Sequence, residues 1–276
     1  MTGRRGRLAL LALAAGVALL FAGRWTAMVL ADRWWAQAVA PVSVPFLTQW
    51  HLLELILELG GLLMAGGWCV GHFLWVVRSI GTVQVPRRLG NLEIRELMGG
   101  SVFRGAAVGA GLVLGLLLGA GGARAAPLVA VAWQGAHLGL ADPVLGLDLG
   151  VYLVQLPLWD ASLTFLRHLV WAALLGAGLC HFAVGGLRTS RTGLAMTDAA
   201  RLQLGLLLGA LLALSAFGEA LSPLRAVAGL DGTALAQLTP AARWSVAAAW
   251  GVAAIAIAWW AFRPTPAHML AGIVLW

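Results

Sequence analysis

The sequence has little charge and lacks lysine. Charged residues make up 11% of its 276 residues, whereas hydrophobic residues make up 61%. A soluble domain carries about a quarter of its residues as charged side chains. This chain therefore cannot cover a water-facing surface, and a lipid bilayer must solvate it. Its net charge of +7 comes from arginine alone, and the arginines flank apolar segments. They orient a membrane protein, and we expect no nucleic-acid partner.

Signatures of soluble enzymes are also missing. The sequence contains no Walker-type phosphate loop, HExxH, GxSxG or dinucleotide-binding fingerprint. No loop is long enough to hold a soluble catalytic domain. We therefore expect no enzymatic activity and no soluble substrate. Both cysteines, Cys69 and Cys180, fall in apolar segments, where packing is a commoner role than a disulfide or metal site.

Long apolar windows dominate what is present. About 20 residues cross roughly 30 Å of hydrocarbon, and six windows qualify, at about 8–30, 46–77, 102–122, 161–186, 202–221 and 242–262. The stretch 266–276 is too short to cross and predicts a partial seventh span. The sequence thus predicts an all-α, polytopic transmembrane bundle that forms a single domain over residues 1–276, with a structured outer loop at 123–160.

Arginine placement sets the expected orientation. The first window follows Arg4, Arg5 and Arg7 as a signal peptide would, but its apolar run resumes at Trp25, so we interpret it as an uncleaved span. A cytoplasmic N-terminus places twelve of the 18 arginines inside. The positive-inside rule favours this arrangement, with the chain in the bacterial cytoplasmic (inner) membrane.

Small residues recur at helical spacing in two windows. Gly111, Gly115 and Gly119 lie four apart in the third, and Gly205 and Gly209 lie four apart in the fifth. This spacing lets helix backbones approach closely in a membrane. We expect helix–helix contacts there, with a partner helix either in this chain or in another subunit.

The second window carries an ionisable group of residues. His51, Glu54 and Glu58 share one helical face, and ionisable residues within membranes suggest function. Three roles stay open: an interfacial salt bridge, which we favour, proton or ion handling, and metal binding. A di-metal site would need Glu-x-x-His pairs on other helices, which this sequence lacks.

Three histidines and many tryptophans lie in or beside the spans. His72, His168 and His181 are weak candidates for ligating haem or a chlorophyll magnesium, although a hydrogen bond to a neighbouring helix is the commoner role. Most of the 14 tryptophans fall where interfacial belts are expected.

The stretch Trp133–Pro157, WQGAHLGLADPVLGLDLGVYLVQLP, is too apolar for a water-facing loop of its length. Asp142-Pro143 favours a turn, and Gly146 permits another. We expect residues 133–158 to fold back as short helices that cap the outer end of the bundle. Aspartate-mediated ligand binding is the competing interpretation.

Two segments resemble a known family. DPVLGLDLGVYLVQLP, residues 142–157, is similar to the DP-x-F-G-x-D-x-x-F-Y-L-F-x-L-P block of uncharacterised protein family 0182, a set of large bacterial membrane proteins. HFAVGGLR, residues 181–188, resembles the family's H-Y-x-x-G-G-[IL]-R. The matching residues are Asp142, Pro143, Gly146, Asp148, Tyr152, Pro157, His181, Gly185, Gly186 and Arg188.

The resemblance implies a fold and not an activity. Members of the family continue into a long extracytoplasmic half, so we expect a short form here that carries only the N-terminal membrane region. Helix packing and the many tryptophans favour a non-catalytic accessory or scaffolding subunit of a larger membrane complex. Its expected partners are transmembrane subunits and lipids.

The host complex and an alternative function stay open at this point. A photosynthetic reaction centre–antenna assembly is one candidate host, with bacteriochlorophyll or carotenoid as contacting cofactors. The alternative is a small transporter or an ion- or proton-handling protein that uses His51, Glu54, Glu58 and Glu219.

Overall fold

A computed structural model describes residues 2–79, 88–89, 92–93, 100–135, 137–190, 193–229 and 240–263. The eight α-helices among them are α1 (Thr2–Val39), α2 (Val44–Ser79), α3 (Gly100–Gly119), α4 (Ala126–Gln134), α5 (Leu156–Ala183), α6 (Asp198–Ala220), α7 (Ser222–Val227) and α8 (Pro240–Phe262). Two 3-10 turns, Pro41–Ser43 and Gly122–Ala125, precede α2 and α4, and a π-helical turn, Val151–Gln155, leads into α5.

The predicted fold class is confirmed. Five segments are long and apolar enough to cross a membrane: Pro41–Ser79, Phe103–Gln134, Val151–Ala183, Asp198–Val227 and Trp244–Phe262. The structure adds two short antiparallel hairpins, β1 (Arg88–Leu89) with β2 (Leu92–Glu93), and β3 (Leu187–Ser190) with β4 (Gly193–Met196). The predicted partial span at 266–276 lies outside the described residues.

The chain divides into two compact units, residues 1–57 and 58–276. In the first unit, Ala36 is the one buried residue among the side chains that the structure describes. The second unit contains the packed core. Val76, Val170, Ala173, Ala177, Leu207 and Leu211, from α2, α5 and α6, form its main cluster.

Glycines bring α2 and α3 together in the second unit. A Cβ built on Gly115 would overlap the backbone of Gly66, and one on Gly119 would lie 2.7 Å from the Cα of Leu62. The partner of the third window's glycines is therefore α2 of the same chain. Gly111 also faces α2, at Val70.

The glycines of α6 allow α6 and α8 to approach closely in the same way. A Cβ on Gly205 would lie 2.7 Å from the Cβ of Ala261, and one on Gly209 would lie 3.2 Å from the carbonyl oxygen of Ala254. Backbones this close gain van der Waals contact, which drives helix association in lipid.

Polar contacts lie near one level at one end of the second unit, which we call the outer end after the predicted orientation; the opposite end is called the inner end. Glu58 accepts hydrogen bonds from the amides of Gly121 (3.0 Å) and Ala123 (3.1 Å). Asp160 binds the guanidinium of Arg225, whose Nε lies 3.1 Å from Oδ1. At 1.5 Å per residue, Glu58 lies about 32 Å from Ser79 at the other end of α2. That distance is close to the hydrocarbon thickness.

Above this level lies what we call the outer cap: α4, the loop 137–150, the π-helical turn, the first turn of α5, and α7. Its core contains Tyr152, Leu156, Leu221 and Leu224. Tyr152 is eight residues beyond Asp160, or about 12 Å along a helix. The cap therefore lies beyond the level of the Glu58 and Asp160 contacts.

Candidate functional site

The cap loop is built around Asp142. Its Oδ1 accepts hydrogen bonds from the amides of Val144 (2.7 Å) and Leu145 (2.8 Å). Its Oδ2 accepts from the amide of Leu147 (3.1 Å) and from the Tyr152 hydroxyl (2.6 Å). With four donors on its two oxygens, this buried carboxylate satisfies the backbone amides of a tight turn.

The same contacts set the acidity of Asp142. Burial alone raises the pKa of a carboxyl group, but the hydrogen bonds from Tyr152 and from three backbone amides outweigh it and lower the pKa of Asp142 from 3.8 to about 2. Asp142 is thus ionised at neutral pH, and its charge is held by fixed donors.

Asp148 closes the loop from the other side. Its carboxylate accepts from the amides of Gly150 (2.7 Å), Gly139 (2.8 Å) and Leu138 (3.1 Å). Hydrogen bonds from these amides, led by Leu138, lower the pKa of Asp148. Asp148 also forms an isolated antiparallel bridge with Ala141. The prediction of short helices is therefore wrong for residues 137–148, because side-chain acceptors replace helical hydrogen bonds there.

Three other motif residues fix the ends of these turns. Gly146 has a φ of +67°, which favours glycine, and its amide donates to the carbonyl of Asp142 (3.0 Å). Pro143 follows Asp142 directly within the turn. Pro157 lies in the first turn of α5, directly after the π-helical turn.

Large apolar side chains face outward from this rigid loop. We call Trp133, Leu138, Leu140, Val144 and Leu147 the apolar rim. Trp133 is 89% exposed, and Leu140 and Val144 are more than half exposed. A cluster of exposed apolar side chains on a folded protein commonly marks an interaction site.

A second polar site joins α2, α5 and α6 at the inner end of the second unit. Gln203 Nε2 donates to the carbonyl oxygen of His72 (2.9 Å) and lies 3.2 Å from His72 Nδ1. Gln203 Oε1 lies 2.9 Å from His181 Nε2. His181 and Gln203 are fully buried. The hydrogen bonds within this cluster satisfy polar groups that lipid chains could not satisfy.

This geometry fixes the tautomers. A carbonyl oxygen only accepts, so the amide nitrogen of Gln203 must face His72. Its oxygen then faces His181, which donates through Nε2–H. Among the residues that the structure describes, none is a hydrogen-bond partner of His181 Nδ1, which is left as a buried acceptor.

The second motif lies beside His181. A Cβ on Gly186 would lie 3.0 Å from His181 Nδ1, and the Gly186 amide donates to the His181 carbonyl (2.7 Å). Gly185 has a φ of +76°, and its carbonyl accepts from Arg188 Nε (2.9 Å). The motif therefore turns the chain from α5 into β3 and closes over the histidine.

The three candidate pigment ligands are placed differently. His181 has one ring nitrogen bound by Gln203 and the other buried, and His72 Nδ1 is also bound by Gln203. His168 is exposed on α5. Of the three, His168 is exposed, His72 is half-buried and His181 is fully buried.

The sequence analysis did not identify Gln203 as a site residue. It could have been found as a lone amide in the apolar run LQLGLLLGALLALSAF, because amides in spans typically hydrogen-bond to neighbouring helices. The sequence did not indicate which helices it joins.

The structure brings His51 and Glu54 together but gives Glu58 different partners. In the first unit, His51 lies between Asp32 (Nε2 to Oδ2, 3.1 Å) and Glu54 (Nδ1 to Oε2, 3.1 Å), and Trp50 donates to Glu54 (2.8 Å). Glu58 instead holds loop amides of the second unit. Among the described residues, no three His, Cys, Asp or Glu side chains form a metal-binding group.

Comparison with known proteins places this architecture in a family. The sequence model of Uncharacterised protein family (UPF0182) matches residues 8–276. The chain therefore belongs to this family, and the resemblance found in the sequence is confirmed. No solved structure matches the chain.

Individual relatives match shorter segments. A UPF0182 protein of Mycolicibacterium gilvum (strain PYR-GCK) is 37% identical over 109 residues, which are 40% of this chain and 11% of that protein. One from Rhodococcus opacus (strain B4) is 39% identical over 83 residues, 30% of this chain and 8% of that protein. One from Salinispora tropica is 37% identical over 83 residues, with the same shares. The aligned part spans about a tenth of the length of these relatives.

Proposed function

We propose that this UPF0182 family member is a non-catalytic scaffolding subunit of a larger complex in the bacterial cytoplasmic membrane. The apolar rim is the observation that carries the proposal. The proposal places the cap outside the hydrocarbon, where exposed Trp, Leu and Val side chains are costly unless another surface covers them.

The chemistry of the aspartates supports the same function. The carboxylate oxygens of Asp142 and Asp148 accept hydrogen bonds from backbone amides of the cap loop. Neither carboxylate is therefore free to bind a ligand or to act as a base. The cap is thereby pre-organised, which lowers the entropy lost when a partner docks.

We further propose that the N-terminus is cytoplasmic, with the cap outside. Twelve of the 18 arginines then face the cytoplasm, as the positive-inside rule favours. The cap would meet the extracytoplasmic part of a partner, and the exposed faces of the spans would meet lipids or partner helices.

Extraction from native membranes tests the proposal. The protein is purified in mild detergent, and its native mass, co-purifying subunits and absorption spectrum are recorded. We expect a mass well above the 28.8 kDa of the chain and defined partner subunits. Bacteriochlorophyll or carotenoid bands would identify a photosynthetic host. A lone monomer would refute the scaffolding function.

Ion or proton handling is the second candidate, favoured by the Asp32–His51–Glu54 cluster. Two carboxylates lie within 3.1 Å of the two ring nitrogens of one histidine, an arrangement that could relay a proton through the imidazole. Proton flux into proteoliposomes that is abolished by His51→Phe and kept by His168→Phe would favour this function. Equal, background flux in both would eliminate it.

A further inference from the structure

A groove opens at the inner end of the second unit. It has a volume of about 470 Å³ and is lined by Gly71, Trp75, Arg78, Ser79 and Ala199. Four of these residues belong to the last three turns of α2 and one to the first turn of α6.

Backbone and ring positions create the groove. A Cβ built on Gly71 would meet nothing within 4 Å, so the missing side chain leaves real space. Trp75 forms a wall, and its ring is stacked on His72 with centroids 6.3 Å apart. His72 is in turn fixed by Gln203. The groove is therefore preformed by the buried polar cluster.

The groove crosses a chemical boundary. The span that contains α2 ends at Ser79, and the span that contains α6 begins at Asp198. Gly71 and Trp75 thus lie at the depth of acyl chains, and Arg78 lies at the depth of headgroups.

The charge at this boundary is positive. The Arg78 side chain is exposed. The nearest acidic residue of α6, Asp198, is paired with Arg201 (2.8 Å), which balances its charge. Basic grooves between transmembrane helices recognise anionic headgroups.

We propose that this groove is a binding site for one anionic phospholipid. Arg78 binds the headgroup phosphate, and an acyl chain lies against Trp75 in the space above Gly71. The apolar depth of the groove selects a lipid over free phosphate. The proposal requires only that the chain spans a membrane, and it is independent of the scaffolding function.

Native mass spectrometry of the detergent-purified protein tests the site. The full chain is titrated with dioleoyl-phosphatidylglycerol or dioleoyl-phosphatidylcholine, with and without inorganic phosphate as competitor. The variants are Arg78→Gln, which removes the charge, and Gly71→Leu, which fills the groove. Gly60→Leu is the matched control, because a Cβ there also meets nothing within 4 Å and Gly60 does not line the groove.

We expect one phosphatidylglycerol to bind more tightly than phosphatidylcholine. Arg78→Gln should weaken it by about fivefold, the effect of one basic residue at an anionic membrane surface. Gly71→Leu should abolish the site, and Gly60→Leu should leave it unchanged. Equal retention of both lipids, or unchanged binding in Gly71→Leu, would overturn the proposal. Displacement by phosphate would overturn the lipid assignment in favour of a free-anion site.

Discussion

Single carboxylates organise the outer side of this protein. Asp142 accepts hydrogen bonds from four donors, and Glu58 accepts hydrogen bonds from the amides of Gly121 and Ala123. Each satisfies backbone amides at a turn, where helical hydrogen bonds are missing. Removing such a partner leaves buried donors unsatisfied, which costs more than the hydrogen bond itself contributes.

The stability of the cap should depend on pH through Asp142. Its folded pKa of about 2 lies below the ordinary value of 3.8, so its stabilising contribution is complete above about pH 4 and is lost as the pH falls towards 2. Thermal unfolding of the detergent-solubilised protein between pH 7 and 2 measures this loss. Asp142→Asn should unfold at a lower temperature at pH 7 and show less change between pH 4 and 2. An unchanged pH profile in the variant would contradict this role.

Glycine faces determine how the helices of the second unit pair. Gly115 faces the backbone of Gly66, whereas a Cβ on Gly109 of the same helix would meet nothing within 4 Å. The two glycines have the same local helix propensity but different neighbours. Substituting each by alanine therefore separates the effect of helix packing from that of helix propensity.

Gly115→Ala should destabilise the protein by about 1–3 kcal/mol, because the added methyl group forces α2 and α3 apart. Gly109→Ala should be neutral or stabilise by up to about 1 kcal/mol, since alanine favours a helix. Thermal unfolding in detergent measures both. Equal effects would show that the close approach of α2 and α3 does not stabilise the fold.

Gln203 links three helices, and its removal should loosen all of them. Gln203→Leu leaves the His181 Nε2–H and the His72 carbonyl without their partner, a loss of about 1–3 kcal/mol. Hydrogen exchange at the inner ends of α2, α5 and α6 should rise together. Faster exchange confined to α6 would contradict a three-helix link.

Part of this architecture could be predicted from the sequence. Apolar windows locate the spans because hydrocarbon demands length and hydrophobicity. The Asp142-Pro143 pair identifies a turn, because Asp and Pro both favour turn conformations through local interactions. Contacts between distant helices, such as Gln203 with both histidines, follow from tertiary packing that one sequence does not encode locally.

Glu58 illustrates the same limit. Helical spacing groups it with His51 and Glu54 on one face, but its carboxylate reaches across to the turn after α3. Spacing predicts which side chains share a face and gives no information about which backbone amides a neighbouring turn leaves unsatisfied.

At the scale of the whole molecule, the second unit combines a membrane-embedded bundle with a rigid cap whose apolar rim faces outward. The bundle provides anchoring, and the loop carboxylates hold the rim in place. A surface so ordered and so apolar is suited to docking another protein.

Site-specific photo-crosslinking in native membranes tests this claim most directly. A photoreactive phenylalanine analogue replaces Val144 on the rim or, as control, Val252, which is exposed on α8 within a span. We predict a discrete protein adduct from position 144 that disappears when Leu140→Asp is added, and no such adduct from position 252. An absence of protein adducts at position 144, or the same adducts at both positions, would contradict the account.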